Sequence, residues 1–162
     1  MRGLWRFASL AVSSLAVLIV VGCAPVIVGS GPRNAEPALT PTHIIAADGA
    51  RLPLRIWPAP GTPRAVILGL HGFNDYSKSL EDPAKVWGRA GLTVYAYDQR
   101  GFGAAPGWGL WPGVAALVDD LTAATRLIRA RHPGLPLYLV GESMGAAVIL
   151  SAVAGKTPPN AD

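Results

Sequence analysis

At 162 residues the chain is one domain's worth; 51% apolar and 15% charged residues suffice for a core and exclude the charge-rich makeup of a disordered protein. The formal charge of +4 includes Arg2 and Arg6, and the remaining charges are nearly balanced and scattered, so no phosphate-binding footprint forms and a nucleic-acid partner is not expected. The single cysteine, Cys23, excludes an internal disulfide framework.

The first element in the chain is a targeting segment. "MRGLWRF" carries two arginines, "ASLAVSSLAVLIVV" is an uncharged apolar run, and "VVGC" sets small residues directly before Cys23, which is the layout of a secretory signal. Val20, Val21, Gly22 and Cys23 resemble the box of bacterial lipoprotein signals, with valine where that family most often has leucine. The resemblance implies a signal over residues 1–22, lipidation of Cys23, and an exported protein anchored on the outer or periplasmic side of a bacterial membrane. Each buried methylene of an acyl chain contributes about 0.8 kcal/mol, and two or more chains make the anchoring stable. The alternative is an uncleaved anchor, although Phe7 to Val21 is short for a span that needs about 20 residues.

Residues 23–41 include "GSGPRNAEPALTP", rich in Gly, Pro and small polar residues without apolar periodicity, and read as a tether. The folded domain is expected over residues 42–162. "HIIA" and "LPLRIW" read as strands about a "DGA" turn, and "AVILGL" as a fully buried strand. A helix near Pro83 to Ala90, a strand "TVYAY", a long helix from Val114 to Arg131, a strand "LYLV" and a helix from Met144 to about Ala154 follow. The long helix sets Leu117, Leu121, Ala124, Leu127 and Ile128 on one face, and "RHPG" ends it. Strand then helix, repeated, implies an α/β fold with a mostly parallel sheet covered by helices on both faces.

Three loops follow the C-terminal ends of strands and so share the sheet edge where ligands bind in such folds: "HGFNDYS", "DQRGFG" and "GESMG". "GESMG" reads as a nucleophile elbow. A sharp strand-to-helix turn strains the backbone at Ser143 and needs small neighbours, supplied by Gly141 and Gly145, and it exposes the hydroxyl beside a helix N-terminus whose free N–H groups stabilise an oxyanion. The bland alternative is a glycine-flanked helix start with Ser143 as N-cap. A second oxyanion donor is needed from the loop after "AVILGL", which points to the backbone N–H of Phe73 beside that of Met144. His71, before Gly72, is expected to brace the loop rather than move protons, and Asp98 with Arg100 is expected to form a local bracing pair. Glu142 is not expected to act as acid or base, because adjacent residues in an elbow point different ways. Gly101 and Gly103 do not complete a dinucleotide motif, and neither a metal nor a cofactor is implied.

The spaced series "LHGFNDYS", "YAYDQRGFG" and "LYLVGESMGAAVIL" resembles the α/β-hydrolase superfamily, and within it the monoacylglycerol lipase and lysophospholipase group. The resemblance covers about Thr42 to Ala154. It implies an ester hydrolase acting on acylglycerols or similar lipids, with Ser143 as nucleophile and the Phe73 and Met144 N–H groups as oxyanion hole. In that family the acid and then the histidine follow the serine. Here the one acidic residue after Ser143 is Asp162, and His43, His71 and His132 all precede it. The expectation is therefore an N-terminal portion of a membrane-tethered serine esterase, truncated after the elbow helix, with "LYLV" left at an open edge. Non-catalytic remnant or interaction module, and one half of a split enzyme completed by a second chain, are the alternatives.

Overall fold

A computed structural model describes residues 26–162, so the signal run and Cys23 lie outside the described residues. The strands are β1 (Ala38–Leu39), β2 (His43–Ile45), β3 (Arg51–Trp57), β4 (Ala65–Leu70), β5 (Leu92–Tyr97) and β6 (Leu137–Gly141). The helices are α1 (Glu81–Arg89), after a 3-10 turn at Ser77–Leu80, α2 (Val114–Arg131) and α3 (Met144–Val153). They form one sheet in the order β1-β2-β3-β5-β4-β6. β1, β2 and β3 run antiparallel in sequence, β3 is antiparallel to β5, and β5, β4 and β6 are parallel.

Alternation along β4 decides which helix covers which face. Val66, Leu68 and Leu70 join Leu117, Leu121 and Ile128 of α2 and Val148 and Ala152 of α3, whereas Ile67 packs with Ala84 and Trp87 of α1. All six residues of β4 are buried, which is why the strand reads as one unbroken apolar run. Each fully buried Leu or Ile contributes about 1.5–3 kcal/mol.

From β4 the chain crosses to β5 on one side and, after α2, returns to β6 on the other. The reversal opens a crevice at the C-terminal end of β4, where α/β sheets bind ligands. Register carries the strand ends to one level, with Gly69 opposite Ala96 and Leu70 opposite Gly141.

The segment expected to be a tether lies against the domain over its described part. Val28 N–H donates to Trp111 O (3.0 Å), Gly31 N–H to the Asp48 carboxylate (2.9 Å) and Ala35 N–H to Ala47 O (2.8 Å), while β1 pairs with β2. No apolar periodicity marks this stretch because its order comes from backbone pairing with distant partners. At the opposite edge β6 pairs with β4 alone among the described residues, and Tyr138 is 42% exposed. Only its first residue has another partner: Asp162 accepts from Leu137 N–H (2.9 Å) and from Arg129 (2.7 Å). Among the described residues no helix is long and apolar enough to cross a membrane.

Candidate active site

β6 ends at Gly141 and α3 begins at Met144, so two residues make the turn, and Ser143 adopts φ 48°, ψ −110°. Positive φ at a non-glycine residue is strained and costs on the order of 1–3 kcal/mol. Close approach on both sides holds it there. A Cβ on Gly145 would overlap the carbonyl oxygen of Leu70 and meet that of His71 at 2.8 Å, and one on Gly141 would overlap backbone atoms of Gly145 and Ala146. Glu142 N–H donates to Leu70 O (3.1 Å), fastening the elbow to the end of β4. Ser143 is exposed, its side chain makes no capping hydrogen bond, and the side chain of Glu142 is exposed beside it.

The "HGF" loop lies directly against this turn: a Cβ on Gly72 would sit 3.6 Å from Ser143 Cβ. Neither Phe73 N–H nor Met144 N–H has an acceptor among the described residues. Two uncommitted donors on adjoining loops, one at the N-terminus of α3, are what an oxyanion hole requires.

His71 is fully buried and both ring nitrogens are committed. Nδ1 donates to Gly72 O (2.8 Å), Nε2 accepts from Gln99 N–H (2.9 Å), and Gln99 Nε2 donates back to His71 O (2.8 Å). These partners set the neutral tautomer, and burial pushes the imidazole pKa down, with the Gly72 carbonyl opposing. The ring therefore ties the loop after β4 to the loop after β5 and has no lone pair left for a serine proton. His43 is held by Thr42 Oγ1 (2.9 Å) on β2, and His132 Nε2 lies 2.8 Å from Tyr95 OH at the end of α2. Asp162 sits at Leu137, the opposite end of β6 from the elbow, about 13 Å away at 3.3 Å per residue.

Asp98 and Arg100 do not pair with each other, which corrects the sequence expectation. Asp98 accepts from Ser77 N–H (2.9 Å), Ser77 hydroxyl and Ala104 N–H (2.9 Å). Arg100 turns the other way and forks onto two carboxylates, Asp120 of α2 (3.0 and 2.8 Å) and Asp48 of the β2–β3 turn (2.7 and 3.1 Å). The chain turns after Tyr97, so the two-residue spacing no longer puts both side chains on one face. Sequence reasoning missed Asp48 and Asp120, which lie 52 and 20 residues from Arg100 and carry no local signal.

Beside Phe73, the loops after β4 and β5 enclose a cleft of about 420 Å³, lined by Tyr76, Phe102, Trp108, Leu110 and Trp111 with Asn74 and Asp75. The Phe73 and Phe102 rings meet edge to face at 5.3 Å. Ser143 does not line this cleft, although Phe73, the residue after Gly72, does.

Residues 61–162 match the family described as "Serine aminopeptidase, S33". Among curated proteins, the chain is 31% identical over 132 residues to the monoglyceride lipase of Homo sapiens, a match covering 76% of this chain and 44% of that protein. It is 30% identical over 104 residues to the monoacylglycerol lipase of Mycolicibacterium smegmatis, covering 64% and 37%. A soluble variant of monoglyceride lipase from Saccharomyces cerevisiae, solved with a substrate analog, aligns with TM-score 0.57 at 26% identity over 77% of this chain and 43% of that one. A lipase in its open form aligns with TM-score 0.63 at 23% identity, which speaks to the fold alone. The chain thus spans less than half the length of the curated relatives it matches.

Proposed function

This chain belongs to the α/β-hydrolase family described as serine aminopeptidase, S33, and from that premise we propose that it carries the nucleophile and oxyanion hole of a serine ester hydrolase acting on acylglycerol or lysophospholipid-like esters. The observation that carries this reading is the backbone of Ser143 at φ 48°, ψ −110°. An ordinary N-cap sits in the extended region and accepts a hydrogen bond from the first turn. Ser143 does neither, so capping leaves its strain unexplained, whereas presentation of a nucleophile accounts for it.

In the proposed reaction the Ser143 hydroxyl attacks the ester carbon, and the carbonyl oxygen, now negative, is held between the N–H groups of Phe73 and Met144. The alcohol leaves with a proton, and water then releases the acyl group from Ser143. Both steps need a base that takes and returns a proton. His71 cannot supply it, because both its nitrogens are bonded to backbone. We assign the acid and the histidine to strands outside these 162 residues, either in a longer polypeptide or in a complementing chain. The two curated relatives described above, a monoglyceride lipase and a monoacylglycerol lipase at 30% identity or more, favour ester over peptide substrates. A tether at Cys23 completes the reading and sets the enzyme beside lipid. The commitment of His71 also gives a second reading a foothold, a non-catalytic chain with the same fold.

Fluorophosphonate labelling and short-chain ester hydrolysis separate the two. The chain alone is expected to show neither above background. Once strands bearing the acid and the histidine are supplied, in cis or from a second chain, both should appear, and Ser143→Ala should abolish them. A completed sheet that still leaves Ser143 unlabelled would establish the non-catalytic reading.

A further inference from the structure

The cleft beside Phe73 opens within an apolar surface that the proposed chemistry does not use. Trp108 is 75% exposed, Leu110 52% and Val114 49%, and Val26, Ile27 and Val28 are 79%, 62% and 53% exposed. These two stretches are one surface, because Ile27 bridges to Trp111 and a Cβ on Gly113 would meet Ile27 Cγ2 at 2.8 Å. Between them lies a shallow depression lined by Ile27, Trp111, Pro112 and Val114, whose one charged lining residue, Asp119, is engaged by Arg33 at 3.2 Å. Exposed contiguous apolar area rimmed by polar groups marks a binding surface.

The path of the chain says what it binds. Val26 follows Cys23 by three residues, so at 3.3–3.6 Å per residue the patch begins no more than about 11 Å from the residue expected to be lipidated. An uncleaved anchor ending at Val21 gives five residues and about 18 Å. In either case the pairing of Val28 with Trp111 sets this stretch beside the residue that joins the Trp108–Leu110 loop to the start of α2. Tryptophan is also the side chain most at home among lipid headgroups.

We propose that this face docks on the membrane, seating Val26–Val28, Trp108, Leu110 and Val114 among the headgroups and turning the mouth of the cleft toward the bilayer. Trp108, Leu110 and Trp111 line both the surface and the cleft, so a lipid ester leaving the bilayer enters the cleft without crossing water. The proposal rests on the membrane tether, and the experiment keeps the two apart.

The full chain, with its own N-terminus, is reconstituted into vesicles of phosphatidylethanolamine and phosphatidylglycerol, with an environment-sensitive fluorophore on Leu110→Cys, Val114→Cys or, as control, Ala90→Cys at the end of α1. The parent chain without added cysteine sets the background at Cys23, and circular dichroism checks that each exposed substitution leaves the fold intact. Emission at positions 110 and 114 should shift to the blue and be quenched by brominated lipid, with neither change at position 90. A chain that floats with vesicles while positions 110 and 114 report water overturns the docking and leaves the tether standing. A chain that does not float overturns both. Blue-shifted emission that brominated lipid does not quench means that protein covers the patch, a second copy or another segment, and also overturns the proposal.

Discussion

Replacing Arg100 with methionine should remove a large part of the stability of the domain, and the loss should depend on pH. The guanidinium is 9% exposed and holds the carboxylates of Asp48 and Asp120, 6% and 3% exposed. Burial raises the Asp48 carboxyl, but Arg100 and the N–H groups of Gly31 and Ala50 outweigh it and bring it from 3.8 to about 2. A drop of that size corresponds to about 2 kcal/mol at neutral pH, present above the unfolded value and lost as the pH falls toward 2. Asp120 runs the other way: burial raises its carboxyl despite Arg100, so its contribution is present at low pH and fades as the pH rises through its folded value. Without Arg100 both carboxyls move up, and the variant loses stability as the pH rises from about 4 to 7. Breaking a buried pair costs about 3–5 kcal/mol, against a total near 5–15 for a typical domain. Urea midpoints for wild type and Arg100→Met, measured at low protein concentration, should differ most at pH 7 and least near pH 4. Adding Asp48→Asn and Asp120→Asn should recover part of the loss. A deficit below about 1 kcal/mol at pH 7, or one equal at both pH values, would refute the assignment of Arg100 as the counter-charge of both carboxylates.

Gly145→Ala drives a methyl into the Leu70 and His71 carbonyls and should cost about 1–3 kcal/mol or more, read as a lower melting temperature. Ser143→Gly relieves positive φ and should raise stability by about 1 kcal/mol while removing the proposed nucleophile; a lower melting temperature would speak against strain at the elbow. The amide of Leu139, which faces away from β4, should exchange quickly and the chain should self-associate through the β6 edge that has no strand partner among the described residues, so a monomer with slow exchange at Leu139 would contradict the open edge. Metabolic fatty-acid labelling should mark the wild-type chain and not Cys23→Ser, and equal labelling of both would remove the lipoprotein reading.

What was legible in the sequence was what is encoded locally. β4 and β5 are short apolar runs between turn residues, α2 carries its period from Val114 to Arg131, and the elbow announces itself because two glycines at fixed spacing permit a turn that nothing larger allows. β1 escaped notice because two residues in a proline-rich stretch have no pattern of their own and depend on Ile44 and Ile45 for their order. The bracing of the sheet edge that carries the candidate site is illegible locally for a related reason. Asp98 and Arg100 look like a pair in sequence, yet each finds its partner through the fold, Ser77 for one and Asp48 with Asp120 for the other. Long-range pairing of charges leaves no trace in residue spacing.

The same division between local and non-local explains how the proposed oxyanion half of a site can form without the base that would make it work. Ser143 is held by Gly145 against the carbonyls of β4, Phe73 is held by His71 against Gln99, and Met144 is the first residue of its helix; no contact among these reaches past α3. Folding the three consecutive strand–helix units from β4 to α3 would therefore set the positions of the proposed nucleophile and donors. Reactivity is another matter, since without a base the hydroxyl stays protonated, and loss of the histidine from a comparable triad in subtilisin lowers turnover by roughly a millionfold. On the proposed reading, strain at Ser143 opposes folding with no base to make use of it, and it does so on a sheet whose β6 edge also lacks a partner among the described residues. Added strands pairing with β6 and bringing a histidine to Ser143 would resolve both at once, which is why completion of the sheet and appearance of activity should occur together rather than in steps.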